Sequence, residues 1–454
     1  MGFDKLEKHH RFGARHWHVI MLFLSVVINF FQRVSISAAI VPMTQSTAGA
    51  PYYDWTGYEK GIILSSFLWG YALSAVPAGL LAKRFGAKIV ILSATGIGGI
   101  VAICYPLAAT NGWETVVVLR VLTGIVQGAI YPCVHTLVAK WVPRTERGFL
   151  TTFIYAGSQF GSALVMVISG FVFESSMGWP GLFYITGGLS LAWALLYVWL
   201  GANEPATCRC ISKGERMYIE SLTGSSNNSQ TLTVPWMSIL KSPAFLGLVA
   251  AHCGFNFGFY MLLTEMPTYM SSVLQLDVKS NAALSSLPYF VMGTLCFVVS
   301  PISDLLINRG TISVTTGRKL FNSIGQWVPM ACLIGLGYMT AGETTEAIVL
   351  LTLGVGITAA CCCGYLVNHV DLSPNFAGTM MGITNAVASL ISILSPLMVG
   401  AILTDETDPT QWRVVFFVTS GVYLICNTLF VVIGKAEVQP WNDVPSISTT
   451  NPST

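Results

Sequence analysis

The chain has 454 residues, 53% of them hydrophobic and only 10% charged, with a formal net charge of +2. A soluble domain carries about 25% charged residues, so the composition excludes an ordinary water-soluble protein and predicts a polytopic membrane protein. The net charge says nothing about nucleic acid and no basic run suggests it, so no nucleic-acid partner is expected.

The first 15 residues are polar and basic (Lys5, Lys8, Arg11, Arg15), and the apolar run behind them is too long for the core of a cleavable signal peptide. "MGFDKL" puts Leu6 where a myristoylation site needs Ser or Thr. A helix needs about 20 apolar residues to cross a bilayer. Such runs predict twelve spans, at 17–42, 60–82, 88–109, 114–139, 149–173, 180–201, 244–270, 282–307, 320–340, 345–367, 377–403 and 412–434. The expected fold is therefore an all-α membrane protein with two pseudo-symmetric six-helix bundles, 17–202 and 243–435. A cytosolic tail (1–16), a cytosolic linker (203–242) and a second tail (436–454) complete the chain.

Lysine and arginine set the orientation. With the N-terminus in the cytosol, 18 of the 23 fall in inner segments, Lys60, Lys279 and Arg413 fall outside, and Arg33 and Arg120 are embedded. The sequon Asn227-Asn228-Ser229 would then lie on the unglycosylated side. "GLLAKRFGAK" (79–88) joins spans two and three, and "PISDLLINRG" (301–310) with "TTGRK" (315–319) joins spans eight and nine. These loops lie about one six-helix unit apart, which suggests repeated halves around a midplane site. The 11 cysteines mostly fall in apolar runs, including consecutive Cys361, Cys362 and Cys363, and read as small buried hydrophobes. Cys208 and Cys210 lack the second pair that a zinc site needs.

An arginine in hydrocarbon costs about 2.5–3.5 kcal/mol on insertion scales. Arg33 lies about 14 Å from the outer end of span one, and Arg120 about 9 Å below the start of span four, at 1.5 Å per residue. Two guanidiniums at a similar depth could hold an anion by bidentate hydrogen bonds. Each could instead snorkel or pair with a carboxylate. At 100° per residue, Gly124, Gln127 and Tyr131 stay within about 40° of Arg120, and His135 within about 60°. Further polar stripes are Asn29 with Arg33; Tyr155, Gln159 and Ser162; Asn256 with Tyr260; and Asn385, Ser389 and Ser392, with Tyr71 beside them. Individually these residues could be interhelical glue. Glu265, just before Pro267, is either a solvated vestibule residue or a gating or coupling acid. Asp304, Arg309, Arg144 and Arg147 read as structural or gating charges. Paired catalytic acids, a metal-ligand cluster, a P-loop and a nucleophile motif are all missing, which predicts no enzyme and no cofactor.

The stretches "SSFLWGYALSAVPAGLLAKRFGAK", "IYPCVHTLVAKWVPRTERG", "GFYMLLTEMPTYM", "SVTTGRKLFNSIG", "VNHVDLSPNFAGTMMGITNAVASL" and "KAEVQPWND" carry a resemblance over residues 15–441. The chain resembles the major facilitator superfamily, in the anion/cation symporter family of sodium–phosphate cotransporters, sialin and vesicular glutamate transporters. Within it the chain most resembles the inorganic phosphate cotransporters. The resemblance implies anion-binding roles for Arg33 and Arg120, a match of His135 to the family's "YPAxH" histidine, and cavity positions for Tyr71, Tyr131, Tyr260 and Asn385.

Departures narrow the expectation. Proton-coupled members have a glutamate where this chain has Gln127, and Gln127 cannot titrate. Glutamate carriers have a histidine at Leu64 and an arginine at Phe255, and many superfamily members have an aspartate at Lys83. The expected function is a monomeric alternating-access carrier in the lipid bilayer. It would move a small anion, phosphate or an organic acid, with a coupling cation, sodium by resemblance. The substrate would be held by Arg33, Arg120, Tyr71, Tyr131, His135, Asn256, Tyr260 and Asn385. Gln127, Glu265, Asn29 and Gln159 are the coupling or gating candidates. The alternatives are a proton-coupled lysosomal or vesicular organic-anion carrier, with His135 or Glu265 titrating, and a non-transporting receptor or channel. The N-terminal tail shows no dileucine signal, which favours the plasma membrane.

Overall fold

The computed structural model describes residues 13–44, 51–143, 147–208, 211–223 and 234–442. The sequon, Cys210, the Lys83 side chain and the Arg144 and Arg147 side chains lie outside the described residues. Among the described residues sixteen α-helices follow in chain order: α1 (Ala14–Thr44), α2 (Gly57–Phe85), α3 (Ala87–Thr110), α4 (Trp113–Gln127), α5 (Ile130–Trp141), α6 (Arg147–Phe173), α7 (Gly178–Leu200), α8 (Lys213–Thr223), α9 (Trp236–Leu240), α10 (Pro243–Ser272), α11 (Val278–Asn308), α12 (Val314–Leu336), α13 (Thr344–Ile357), α14 (Tyr365–Leu372), α15 (Ala377–Ile402) and α16 (Pro409–Ile433). The described residues hold no strand. Among the described residues ten spans, counting α4 with α5 and α13 with α14, are long and apolar enough to cross a membrane. α2 and α12, of 29 and 23 residues, pack among them, which is consistent with twelve spans.

The fourth and tenth spans differ from the continuous helices expected of them. α4 ends at Gln127, and the turn tightens as the Ala129 amide donates to the Val126 carbonyl at 3.4 Å. A Cβ at Gly128 would lie 2.1 Å from Ser74 Oγ and 3.2 Å from the Tyr71 carbonyl, so glycine eases the approach of α2 there. In the tenth span a 3₁₀ segment, Thr358–Cys363, separates α13 from α14. A Cβ at Gly364 would lie 2.7 Å from the Asn322 Cβ. The breaks fall in the fourth span of each six-span half, an arrangement consistent with a structural repeat. The linker is also more ordered than a plain loop. α8 docks on the N-terminal half, where Glu215 accepts from the Ala14 and Arg15 amides at 2.9 and 3.1 Å and caps α1. Cys208 packs into the same core.

The halves meet mainly through α2 against α15 and α6 against α11. Small residues make the first seam close: a Cβ at Gly61 would lie 2.8 Å from the Pro396 carbonyl, and one at Gly400 2.7 Å from the Gly57 carbonyl. The end of the bundle away from the chain termini shares one apolar core from both halves, including Phe31, Ile40, Phe259 and Met266. At the termini end each core belongs to a single half, around Trp141 and Tyr197 in one and Phe245 and Leu372 in the other. The molecule is thus closed at the far end and parted at the termini end. Lys60 pairs with Glu406 across the closed end, and exposed Lys279 lies 3.3 Å from Glu174. At the start of α11 the Ser280 side chain and amide hold the exposed Asp277 carboxyl below the usual range.

Candidate anion site

The site begins with the α2–α4 contact. A Cβ at Gly124 would lie 2.1 Å from the Phe67 carbonyl, and one at Gly70 2.0 Å from the Val121 carbonyl. Backbones this close put the Arg120 side chain, one turn before Gly124, within reach of α2 carbonyls. Arg120 Nε and Nη2 donate to the Ile63 and Leu64 carbonyls, both at 3.3 Å, and Nη1 to the Arg33 carbonyl at 3.2 Å. Each nitrogen of the guanidinium donates to a backbone carbonyl, which uses three of its five N–H groups, Tyr105 adds a side-chain hydrogen bond, and Arg120 is 2% exposed. It lies at the level of Arg33, but it ties α4 to α1 and α2 rather than facing an open cleft.

Arg33, 5% exposed, is placed differently. Its Nε donates to Gln127 Oε1 at 3.4 Å and its Nη1 to the Tyr260 hydroxyl at 2.9 Å. Tyr260 belongs to the other half, so this bond crosses the central interface. The guanidinium carbon lies 4.4, 4.5 and 5.0 Å from the ring centres of Phe30, Phe67 and Tyr71. Among the described residues no carboxylate pairs with either arginine, and Nη2 of Arg33 has no hydrogen bond. A buried cation with an unspent donor edge and no acidic partner leaves hydrogen-bond capacity that an anion could take up. Phe67 touches both guanidiniums, 5.2 Å from Arg120. Its role was hidden in the sequence, because one more phenylalanine in an apolar run carries no signal.

Gln127 orients Arg33. It is fully buried, and its Nε2 donates to the Asn29 carbonyl at 3.2 Å and to Gln32 Oε1 at 2.9 Å. Gln32 in turn donates to Ser190 Oγ at 2.6 Å, joining α1, α4 and α7. The Asn29 side chain turns to Ser25 and Thr95 instead.

Helical phase from Arg120 does not carry across the turn at Gly128 and Ala129, so Tyr131 and His135 take their directions from α5. Tyr131 packs against Phe30 at 6.5 Å and Tyr155 at 5.3 Å. His135 Nε2 meets the Tyr155 hydroxyl and is exposed. These groups form a polar ladder that becomes more exposed from Arg33 toward the termini end. Asn256 is 9% exposed, and Asn385 is half-buried on α15. Gln159 lies at the α6–α11 seam beside Gly293, its Oε1 unpartnered.

Glu265 does not reach this site. It is 5% exposed at the closed end, where its Oε1 accepts from Thr264 at 3.2 Å. With Lys60, Glu406, Thr268 and Gly400 it lines a cavity of about 10 Å³, room for one water. At the two positions that set the chain apart from glutamate carriers, Leu64 is buried, its carbonyl used by Arg120, and Phe255 stacks on Phe259 at 5.6 Å.

Known proteins agree with this architecture. The family model of the Major Facilitator Superfamily matches residues 22–396. A Drosophila ananassae protein named "Putative inorganic phosphate cotransporter" is 36% identical, over 95% of this chain and 97% of its own. Sialin of Homo sapiens is 32% identical, over 94% and 91%. "Sodium-dependent phosphate transport protein 3" of Mus musculus is 30% identical, over 90% and 91%. A bacterial homolog of the human lysosomal transporter Spinster shares the fold, with a TM-score of 0.71 at 15% identity over 94% of this chain and 99% of that one. The chain belongs to the Major Facilitator Superfamily, in the family of sodium–phosphate cotransporters, sialin and vesicular glutamate transporters, and is a multi-pass membrane transporter rather than an enzyme.

Proposed function

We propose that the chain is a secondary active carrier of a small anion, phosphate or an organic acid, which binds Arg33 between the two halves. The observation that carries this reading is the Arg33 guanidinium, which donates across the interface to Tyr260 at 2.9 Å and keeps Nη2 free. An anion bound there touches both halves, so binding favours the states in which they close around it. Arg120 supports the site by fixing α4, and its charge adds to the positive field at that level.

Sodium is the proposed coupling cation. The amide at Gln127 offers no proton there, and a relative 30% identical is named as a sodium-dependent phosphate transporter. The lysine and arginine pattern favours cytosolic termini, which makes the parted end the cytosolic one. The carrier is proposed to work as a monomer in the plasma membrane. Proteoliposome uptake of radiolabelled phosphate, sialate and other organic acids, under separate sodium and proton gradients, tests the assignment. Saturable anion uptake driven by sodium supports it. Uptake driven by protons alone replaces the coupling ion, and no anion uptake refutes the reading.

A further inference from the structure

The C-terminal half holds a second polar cluster, which the anion site does not use. His252 on α10, His369 on α14 and Thr384 on α15 are 4%, 2% and 0% exposed. Thr384 Oγ1 lies 3.0 Å from His252 Nδ1 and 2.8 Å from His369 Nε2. It also lies 3.2 Å from the Met381 carbonyl, and His369 Nδ1 lies 3.1 Å from the Leu366 carbonyl.

Counting protons leaves two arrangements. A carbonyl only accepts, so His369 Nδ1 carries a hydrogen toward Leu366. If His369 is neutral, its Nε2 is bare and the Thr384 hydroxyl must donate to it. Thr384 Oγ1 then accepts from His252 Nδ1–H. If the Thr384 hydroxyl turns to the Met381 carbonyl instead, His369 Nε2 must donate to Thr384, and His369 is an imidazolium. His252 keeps the same bond in both. One proton added at His369 Nε2, together with one rotation about the Thr384 Cβ–Oγ1 bond, converts the first arrangement into the second. No heavy atom moves, and every polar hydrogen keeps an acceptor.

We propose that His369 is a proton-binding site of this carrier, with Thr384 as a two-position hydroxyl that fits the imidazole and the imidazolium alike. The proton comes from water, adds to His369 Nε2 and leaves by the same route. Elements packed on α14 bring few other charges. α10 contributes His252 and Cys253, and the 3₁₀ segment contributes Cys361 to Cys363. α12 contributes Lys319 and Arg318, the latter paired with Asp371 of α14 at 2.7 Å. Tyr365 packs on His252 at 4.8 Å, Glu437 lies on the terminal segment that crosses Leu372, and α15 has no titratable residue. The nearest acid, Asp371, is thus already neutralised, and the added charge acts on α10 and α15. Those helices also carry Tyr260 and the α2 seam. His252 lies about 12 Å along α10 from Tyr260, at 1.5 Å per residue. The N-terminal counterpart is simpler: His135, also in the second segment of a broken span, meets one hydroxyl, that of Tyr155.

Proton binding itself does not depend on the anion reading; only its consequence for the transport cycle does. The test is ring-nitrogen NMR of the full-length, histidine-labelled protein in nanodiscs, without anion, between pH 3.5 and 8.5. The His369 signal is assigned by its through-space contact to a labelled leucine carbonyl, so no variant is needed to find it. The expected result is a titration from the Nδ1–H tautomer to the imidazolium inside that window. Thr384→Ser should titrate like the natural chain. Thr384→Val, which removes the acceptor for Nε2–H, should shift the midpoint down by at least one pH unit. A His369 signal that stays constant across the window, or a Thr384→Val midpoint equal to that of the natural chain, overturns the proposal. Failure of the uptake panel would leave this result standing, so the two readings fail separately.

Discussion

Arg33 and Arg120 look alike in the sequence, and the structure predicts opposite consequences for replacing them with lysine. A bidentate guanidinium–anion contact consists of two charge-assisted hydrogen bonds, each worth about 1.5–3 kcal/mol. Lysine at position 33 keeps the charge but supplies one directed donor, so one bond is lost. At 1.4 kcal/mol per tenfold, KM for the anion rises about 10- to 150-fold. Stability changes little, because Arg33 gives the fold its bonds to Gln127 and Tyr260 and its place against Phe30, Phe67 and Tyr71, and lysine keeps a cation beside those rings. Arg120→Lys loses about two of three bonds to backbone carbonyls. Interhelical hydrogen bonds in membranes average about 0.6 kcal/mol and reach about 1.7, so the variant loses roughly 1–3 kcal/mol. Its melting temperature falls by several degrees while KM stays within about threefold for the folded fraction. Thermal melting of purified protein and proteoliposome uptake kinetics together read both effects. The reasoning is refuted if Arg120→Lys raises KM as much as Arg33→Lys at an unchanged melting temperature.

Gln127→Glu sets a carboxylate against Arg33 Nε, 3.4 Å away; uptake should drop at least tenfold at neutral pH and recover on acidification, and a flat pH profile would exclude this position from control of the anion site. Tyr260→Phe removes the bond across the halves, worth about 1 kcal/mol, and should weaken anion binding about fivefold in equilibrium binding with no change in expression. Lys60→Met deletes the link to Glu406 at the closed end. An impermeant thiol reagent added on that side should then label Thr268→Cys several-fold faster than in the parent, and equal rates would deny the pair a gating role.

The spans were legible because a bilayer forces long apolar runs, and the polar linker marked the division into halves. The two broken spans were not. Gly128 and Gly364 matter through what a Cβ would strike on another helix, and no local pattern in the sequence records that neighbour. Helical phase placed Arg120, Gly124 and Gln127 on one face, yet it could not say that the face meets α2 at glycine-contact distance. Arg120 was thereby drawn to carbonyls, while Arg33 found a partner 227 residues away. The extrapolation to Tyr131 and His135 lost its basis at the turn. His252 and His369 went unremarked because their meaning depends on Thr384, which joins them only in three dimensions.

The most direct test of the central claim is a structure determined with a transported anion bound. An anion oxygen should lie 2.7–3.0 Å from Arg33 Nη2, the range of a charge-assisted hydrogen bond, with Tyr260 beside it and Arg120 still on its three carbonyls. An anion held elsewhere, with the Arg33 donor edge vacant, would contradict it.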